Sequence, residues 1–329
     1  MRICIVGAGA IGGLVGTRLA ASGETVSVLA RGANLDAIRA RGLCLVEPDG
    51  TEVRAPVAAV AADSATLGPQ DVIVLALKAH QLAGMAHQLE ALYDVDTVVV
   101  PMQNGIPWWF FQRFPGPFEG LRLQTLDPDG LLAERIPAER IVASIAYPAA
   151  ERLEPGVIRL IEGDRFPLGE LDGERTDRVN AVAAAFTAAG FKSRVLTDVR
   201  SHLWIKAWGN LAFNPISALT RATLGEICAD PATRALAATV MQEAADIAGK
   251  LGLRLRLSIE QRIEGAAEVR EHKTSMLQDV EAGRQLEVDP LIGSFVELGR
   301  ITATPVPATE VLHALVSQLD ASLAKGFTT

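Results

Sequence analysis

Cysteine is scarce in this chain. Three of 329 residues are Cys (Cys4, Cys44 and Cys228), they lie far apart, and no C-x-x-C pair occurs. Such usage argues against a disulfide-stapled fold and fits a reducing, cytoplasmic setting. No metal site is expected. Positive charge is also in short supply: 31 Lys and Arg stand against 39 Asp and Glu, a formal net charge of −8. A general nucleic-acid binder carries a basic patch, so no nucleic-acid partner is expected, although a local basic pocket for an anionic cofactor stays open. No uninterrupted apolar run approaches the ~20 residues of a membrane helix, and no membrane partner is expected. Internal repeats and low-complexity tracts are absent. The apolar N-terminus has the look of a signal peptide, but four glycines fall within residues 7–13 and a second strand-like run follows, so it reads as folded structure.

What is present is enough apolar material for two domains of ordinary size, with hydrophobic residues at 49%. The first half alternates strand and helix signals. "RICIVG", "TVSVLA", "DVIVLAL" and "TVVVPM" are short β-branched runs, "IGGLVGTRLAASG" reads as a helix ending at Gly23, and a helical segment near 81–92 separates the last two strands. "GLCLVEPDGTEVRAPV" reads as a hairpin turning at Asp49-Gly50. "RIVASIAY", "GVIRLIEG" and "KSRVLT" are further strand candidates, with a helix between the last two. This rhythm predicts an α/β fold: an N-terminal Rossmann-type parallel sheet with helices on both faces, over residues 1–198. From 199 to 329 strands give way to helical periodicity, and an all-helical C-terminal domain is expected. Asp230-Pro231 marks one helix start there as N-cap and first helical residue. The stretch 106–130, rich in aromatics, Pro and Gly and including Trp108 and Trp109, fits neither pattern. It is either a functional loop or a hairpin covering a sheet edge.

Three features carry chemistry. In "VGAGAIGG", Gly7, Gly9 and Gly12 stand in G-x-G-x-x-G spacing between a strand and a helix. There the first glycine permits a tight turn, the second lets backbone approach a pyrophosphate, and the third lets helix pack on strand. The backbone from Gly7 through Ala8, Gly9, Ala10 and Ile11 to Gly12 is therefore a candidate cofactor cradle, the helix N-terminus offering N–H groups to phosphate. At the end of the second strand, where NAD enzymes place an acid for the ribose 2′-hydroxyl, this chain has Arg31. A guanidinium suits a 2′-phosphate, so NADP(H) is expected over NAD(H), a solvated loop arginine being the plain alternative. Lys78, with Gln81 one turn on, and Asn104 follow later strands, at the carboxyl ends where open α/β sheets bind ligands.

The third feature is "LWIKAWGNLAFN". Lys206, Asn210 and Asn214 recur every four residues and share an arc of ~80° on a helix that is otherwise apolar apart from Gly209. A helix apolar all round except for one polar stripe is buried with the stripe facing a cleft. A lysine held there is a candidate proton donor because burial depresses its pKa; a lysine snorkelling to solvent is the alternative. The amides can donate to carboxylate or carbonyl oxygens of a substrate. Pro215 is expected to bend or stop the helix. Downstream, Ser275 and Asp279 share a helix face, and Glu287 follows a predicted break at Gly283-Arg284. Glu287 either holds the lysine or binds cofactor hydroxyls, or is simply an N-cap or surface salt-bridge residue.

Taken together, "VGAGAIGG", "LALKAHQ", "QNG", "LWIKAWGNLAFNP" and "SMLQDVEAGRQLEVD" make the whole chain resemble the ketopantoate reductase (2-dehydropantoate 2-reductase) family. The resemblance implies NADPH-dependent reduction of a 2-oxo acid, ketopantoate, on the route to pantothenate. It implies that Lys206 is the catalytic lysine and Glu287 the glutamate near cofactor and lysine. It also implies that Asn210, Asn214 and Ser275 contact substrate, that Lys78 and Asn104 lie near the nicotinamide end, and that Arg31 meets the 2′-phosphate. In some members a further substrate asparagine stands where this chain has Leu224, and the 106–130 stretch is longer than usual; both bear on which 2-oxo acid is bound. A same-family reductase of a bulkier 2-oxo acid is the nearest rival, and an NADPH-sensing binding protein a more distant one. The expected arrangement places the nicotinamide at the domain interface, with closure near Asp198. A homodimer through the helical domain is a further expectation.

Overall fold

The structure, a computed structural model, describes residues 1–326. The chain forms two compact units, one from Met1–Gln103, Phe111–Leu121 and Asp129–Val199, the other from Asn104–Phe110, Arg122–Pro128 and the residues from Arg200 onward.

The first unit opens with β1 (Arg2–Val6), α1 (Ala10–Ala21), β2 (Thr25–Leu29), α2 (Gly32–Arg41), β3 (Leu43–Val46), β4 (Glu52–Ala55), β5 (Ala59–Ala61), β6 (Val72–Leu75), α3 (Ala79–Ala86) and β7 (Val98–Pro101). It continues with α4 (Leu131–Arg135), β8 (Val142–Ser144), β9 (Ala149–Glu154), β10 (Val157–Glu162), β11 (Leu168–Glu170) and α5 (Asp177–Ala188). Five strands form a parallel sheet in the order β5-β2-β1-β6-β7. Val6 pairs with both Leu29 and Leu75, so Gly7, Arg31 and Lys78 leave the sheet at one edge, the carboxyl edge. A second sheet, β4-β3-β10-β9, contains the predicted hairpin, turning at Gly50. Its strand β10 covers α1, where the Ile158 side chain takes the space a Cβ on Gly13 would fill, 2.4 Å from that position. The core between the layers is built from Ile3, Ile5, Leu14, Val28 and Phe166, with Phe191 set edge-on to Phe166 at 4.8 Å.

Several local expectations change. Helix α2 has no clear signal in "GANLDAIRAR", because Ile38 is its single buried residue. The 81–92 segment is α3 followed by a separate 3₁₀ turn at Glu90–Leu92. "KSRVLT" makes isolated bridges, Lys192 with Arg165 and Val195 with Leu168, rather than a continuous strand.

Among the described residues the second unit holds no strand. Its helices are α6 (Val199–Thr220, its first residue counted with the first unit), α7 (Leu224–Ala229), α8 (Pro231–Lys250), α9 (Ile259–Ala267), α10 (Ser275–Glu281), α11 (Ser294–Ile301) and α12 (Pro307–Ala324). Asp230 caps α8 as predicted, its Oδ1 accepting the Thr233 N–H at 2.8 Å. Pro215 neither stops nor ends α6, which runs on to Thr220. Packing of the buried Ile216 and Ala218 offsets the hydrogen bond a proline removes. Helix α12 has no side-chain cap of its own; the buried Glu243 carboxylate of α8 accepts the Ala308 and Thr309 N–H groups instead.

Residues 104–110 and 122–128, which the strand–helix rhythm assigns to the first half, pack with the helical unit. The Ile106 N–H donates to the Pro290 carbonyl at 2.9 Å. The Gln124 and Thr125 N–H groups donate to the Glu297 carboxylate at 2.7 and 2.8 Å. Trp108, Trp109, Phe110 and Phe111 are all buried, so the aromatic run is core rather than an open loop.

Candidate active site

In the first unit the glycine turn has the shape its spacing predicts. Gly7 sits at φ +96°, a backbone region side chains rarely adopt, and its N–H donates to the Leu29 carbonyl at 3.1 Å. A Cβ on Gly12 would stand 1.9 Å from the Gly7 oxygen, whereas one on Gly9 would meet nothing within 4 Å. Gly9 is the N-cap of α1 and brings no side-chain cap. The turn therefore leaves an open approach to the first N–H groups of a helix, which is what a pyrophosphate requires. Asn34 braces it: Nδ2 donates to the Ala8 carbonyl at 2.6 Å, and Oδ1 accepts the Gly156 N–H at 2.9 Å. The sequence gives no signal for that bracing, since both partners lie far off in the chain.

Arg31 is exposed at the N-cap of α2, and its Nη2 meets the Met85 sulfur at 2.7 Å. Lys78 is partly buried as N-cap of α3. Gln81 is exposed, and its Oε1 accepts the Lys78 N–H at 3.2 Å, so its amide helps cap α3. Gln103 ties two strand ends, its Nε2 donating to the Leu75 and Leu77 carbonyls at 2.9 and 3.0 Å. A surface cleft of about 480 Å³ along α2 and the β4–β5 link contains none of these groups.

The second unit carries the amine. On α6, Leu203, Trp204, Ala207, Trp208, Leu211 and Phe213 are buried, while Lys206 and Asn210 keep partial exposure. Lys206 Nζ donates to Asn104 Oδ1 at 2.6 Å. Burial holds the Lys206 ammonium down to about 8 from its ordinary 10.5, and the negative charge of Glu287 works the other way. Further along the stripe, the Asn214 Nδ2 is buried and has no hydrogen-bond partner among the described residues, a costly state for a donor. Arg262 of α9 lies on the flank of the same helix, its Nη2 only 1.9 Å from where a Cβ on Gly209 would stand. That contact gives a helix-interior glycine a reason the sequence did not reveal.

Ser275 is exposed in the first turn of α10, whose N-cap is Thr274. Asp279, on the same helix, accepts from Arg284 Nε at 2.8 Å. Glu287 is partly buried beyond the break at Gly283 and directly precedes Val288, the N-cap of a π turn at Asp289–Gly293. Leu224 opens α7, and its N–H donates to the His272 carbonyl at 3.0 Å. Within this unit the structure thus brings Lys206, Asn104 and Glu287 together. The three cysteines are buried and unpaired, and burial pushes the Cys4 thiol up to about 12. Among the described residues no cluster of three or more His, Cys, Asp or Glu could hold a metal ion, and no helix is long and apolar enough to cross a membrane.

A parallel dinucleotide-type sheet in one unit, with a half-buried ammonium held by an amide in the other, defines a Rossmann-type oxidoreductase. The model of the ketopantoate reductase PanE/ApbA family matches residues 3–173, and that of its C-terminal part matches residues 198–320. The chain belongs to the ketopantoate reductase family. A 2-dehydropantoate 2-reductase of Mesorhizobium japonicum is 51% identical over 97% of this chain and 98% of its own length. One of Halobacterium salinarum is 29% identical over 96% of this chain and 98% of its own. Among solved structures, a putative ketopantoate reductase of Ralstonia solanacearum superposes with a TM-score of 0.93 at 40% identity, covering 98% of each chain.

Proposed function

We propose that this chain catalyses the NADPH-dependent reduction of 2-dehydropantoate to pantoate, a cytoplasmic step on the route to pantothenate. The observation that carries the reading is the Lys206 ammonium, seated on a buried helix and hydrogen-bonded to Asn104 at 2.6 Å. A binding protein without turnover has no use for such an amine. The relative at 51% identity bears the same activity in its name.

The residues of the first unit fit a dinucleotide phosphate. The turn from Gly7 to Gly12 and the N-terminus of α1 would hold the pyrophosphate, Arg31 the 2′-phosphate, and Lys78 would add positive charge at the same sheet edge. When bound, the reduced nicotinamide supplies a hydride to the C2 carbonyl of the 2-oxo acid. Lys206 supplies the proton. At pH 7 an amine with a pKa of about 8 is roughly nine-tenths protonated, so it stabilises the developing alkoxide as a cation and then gives it a proton. Glu287 keeps charge on the amine. Asn104 aims it, and its partial exposure lets it recover a proton from solvent. Asn210, Asn214 and Ser275 are the groups assigned to hold the acid.

The test is oxidation of NADPH, followed by absorbance, with 2-dehydropantoate and a panel of 2-oxo acids, NADH serving as the comparison cofactor. The highest kcat/KM is expected with 2-dehydropantoate and NADPH. A bulkier acid winning the panel would assign the chain to a sister activity, with Leu224, beside the strand of chain leading to Ser275, as the first position to examine.

A further inference from the structure

The π turn at Asp289–Gly293 opens α11, and its hydrogen bonding differs from an α-helix at one important place. The Ser294 N–H, which an α-helix would send to the Pro290 carbonyl four residues back, goes to the Asp289 carbonyl five back. The Pro290 oxygen is thereby released from its α-helical donor. It accepts the Ile106 N–H at 2.9 Å and the Ser294 hydroxyl at 3.0 Å. The backbone of Gly105 lies against the same carbonyl. At φ +80°, with an ideal Cβ only 2.1 Å from the Pro290 oxygen, position 105 admits glycine and no other residue without displacement. The next residue back is Asn104, whose Oδ1 receives Lys206 Nζ. The far end of the segment is fixed as well: buried Arg200 donates Nε to the Phe110 carbonyl at 2.8 Å. The Phe110 ring meets Trp204 of α6 at 5.8 Å, and Trp204 meets Phe295 of α11 edge-on at 5.0 Å. Both ends of residues 104–110 are thus referenced to α6 and α11.

We propose that the π turn is the positioning device of this site: the Pro290 carbonyl fixes Gly105 and Ile106, and through them sets the amide oxygen of Asn104 on the Lys206 ammonium. Gly105 and Pro290 are positioning residues that touch no reacting atom. π turns are rare and concentrate at functional sites, and this one converts a carbonyl that a regular helix would consume into an anchor for the loop. The proposal rests on the reading of Lys206 as proton donor, but its geometry is testable without any substrate.

An acceptor oxygen bonded to an ammonium favours the charged form, so displacing Asn104 lowers the Lys206 titration midpoint. The experiment is NMR titration of the full-length protein with ¹³Cε-labelled lysine, the Lys206 signal being assigned by its loss in Lys206→Arg. Asn104→Ala is expected to lower the midpoint by about one pH unit, the worth of one hydrogen bond to a charged group. Gly105→Ala reproduces that shift although it leaves Asn104 in the chain, and the alkaline limb of the kcat/KM profile moves with it. Ile106→Pro, which removes the N–H that the Pro290 carbonyl accepts, moves the midpoint the same way and decides the matter should Gly105→Ala not fold. A folded Gly105→Ala or Ile106→Pro protein with the wild-type midpoint overturns the proposal, as does an unmoved midpoint in Asn104→Ala. A wild-type protein that oxidises NADPH with no 2-oxo acid overturns the proposed function instead, and the titration still reads out the positioning.

Discussion

Lys206 and Asn104 stand 102 residues apart in the chain, and their side chains meet with Nζ 2.6 Å from Oδ1. An amide oxygen accepts a hydrogen bond but does not take the proton at neutral pH, so it orients the ammonium without neutralising it. Lys206→Ala is therefore expected to lower kcat by about 10²–10⁴-fold, the usual worth of a general acid. NADPH affinity, followed by fluorescence titration, should stay at the wild-type value because the glycine turn is untouched. Undiminished turnover in this variant would remove Lys206 from the mechanism.

The same amine sets a pH dependence whose direction follows from its burial. A donor must be protonated, so kcat/KM should fall as pH rises through about 8, by about tenfold per pH unit beyond it. Glu287→Gln removes the charge that opposes the shift and should move this limb to lower pH. Stability responds in the opposite sense. Between about 8 and the ordinary 10.5, the unfolded chain holds a proton on Lys206 that the folded chain has released, so unfolding free energy rises with pH across that window. Below it the burial penalty is carried in full. Lys206→Met, inactive for lack of the proton, should therefore be more stable than wild type at pH 7 by about 1–3 kcal/mol in urea unfolding.

How much of this was visible beforehand differs from element to element. Four strands of the parallel sheet, β1, β2, β6 and β7, were legible because each is a run rich in β-branched residues, β1 stopping at Gly7, whereas the three-residue β5, "AVA", offers no such run. The polar stripe on α6 was legible because one face of a helix has a fixed period. What escaped notice was decided at a distance. The cap of α12 is Glu243, 65 residues before the Ala308 N–H it accepts. Residues 104–110 join the helical unit through contacts far off in the chain, among them the Ile106 N–H on the Pro290 carbonyl and Arg200 on the Phe110 carbonyl. Trp108 and Trp109 looked like a loop because of the prolines and glycines around them, and their burial comes from packing that no local pattern encodes.

Asn214 carries a buried donor with no partner among the described residues, and it lies two turns along α6 from Lys206. A donor left in that state is set to receive an acceptor from outside the chain, and a carboxylate or carbonyl oxygen of the substrate is the expected one. Removing it should raise KM for the 2-oxo acid by about 10–100-fold, the worth of a hydrogen bond to a charged group, with a smaller effect on kcat. Asn214→Leu is expected to show this in steady-state kinetics while its thermal midpoint equals or exceeds that of wild type. A lower midpoint with unchanged KM would make Asn214 a structural amide.

Two glycines of the same turn should separate binding from folding. A methyl on Gly12 collides with the Gly7 carbonyl at 1.9 Å, inside the protein. A methyl on Gly9 meets nothing within 4 Å and enters the open space where the phosphate is proposed to bind. Gly12→Ala should therefore lower the melting temperature and weaken NADPH binding together. Gly9→Ala should melt within a few degrees of wild type and still weaken NADPH binding by about tenfold or more, a loss of roughly 1.4 kcal/mol. Differential scanning calorimetry with and without NADPH reads both quantities. Equal NADPH affinity in Gly9→Ala and wild type would mean that the turn holds no pyrophosphate.

Arg31 tests the choice between the two nicotinamide dinucleotides. Arg31 is exposed just past the end of β2, in the place where an acid would serve a ribose hydroxyl, and its guanidinium meets the soft Met85 sulfur. Among the described residues no acidic side chain pairs with Arg31, so none has to be displaced when a phosphate arrives. Arg31→Ala should raise KM for NADPH by about 10–100-fold and leave KM for NADH within a factor of about two. Arg31→Asp should go further and reverse the preference, because a carboxylate there repels the 2′-phosphate and accepts from the 2′-hydroxyl. Measuring kcat/KM for both dinucleotides in the three proteins settles it: a ratio that does not change across the set would show that the 2′-phosphate is not recognised at Arg31.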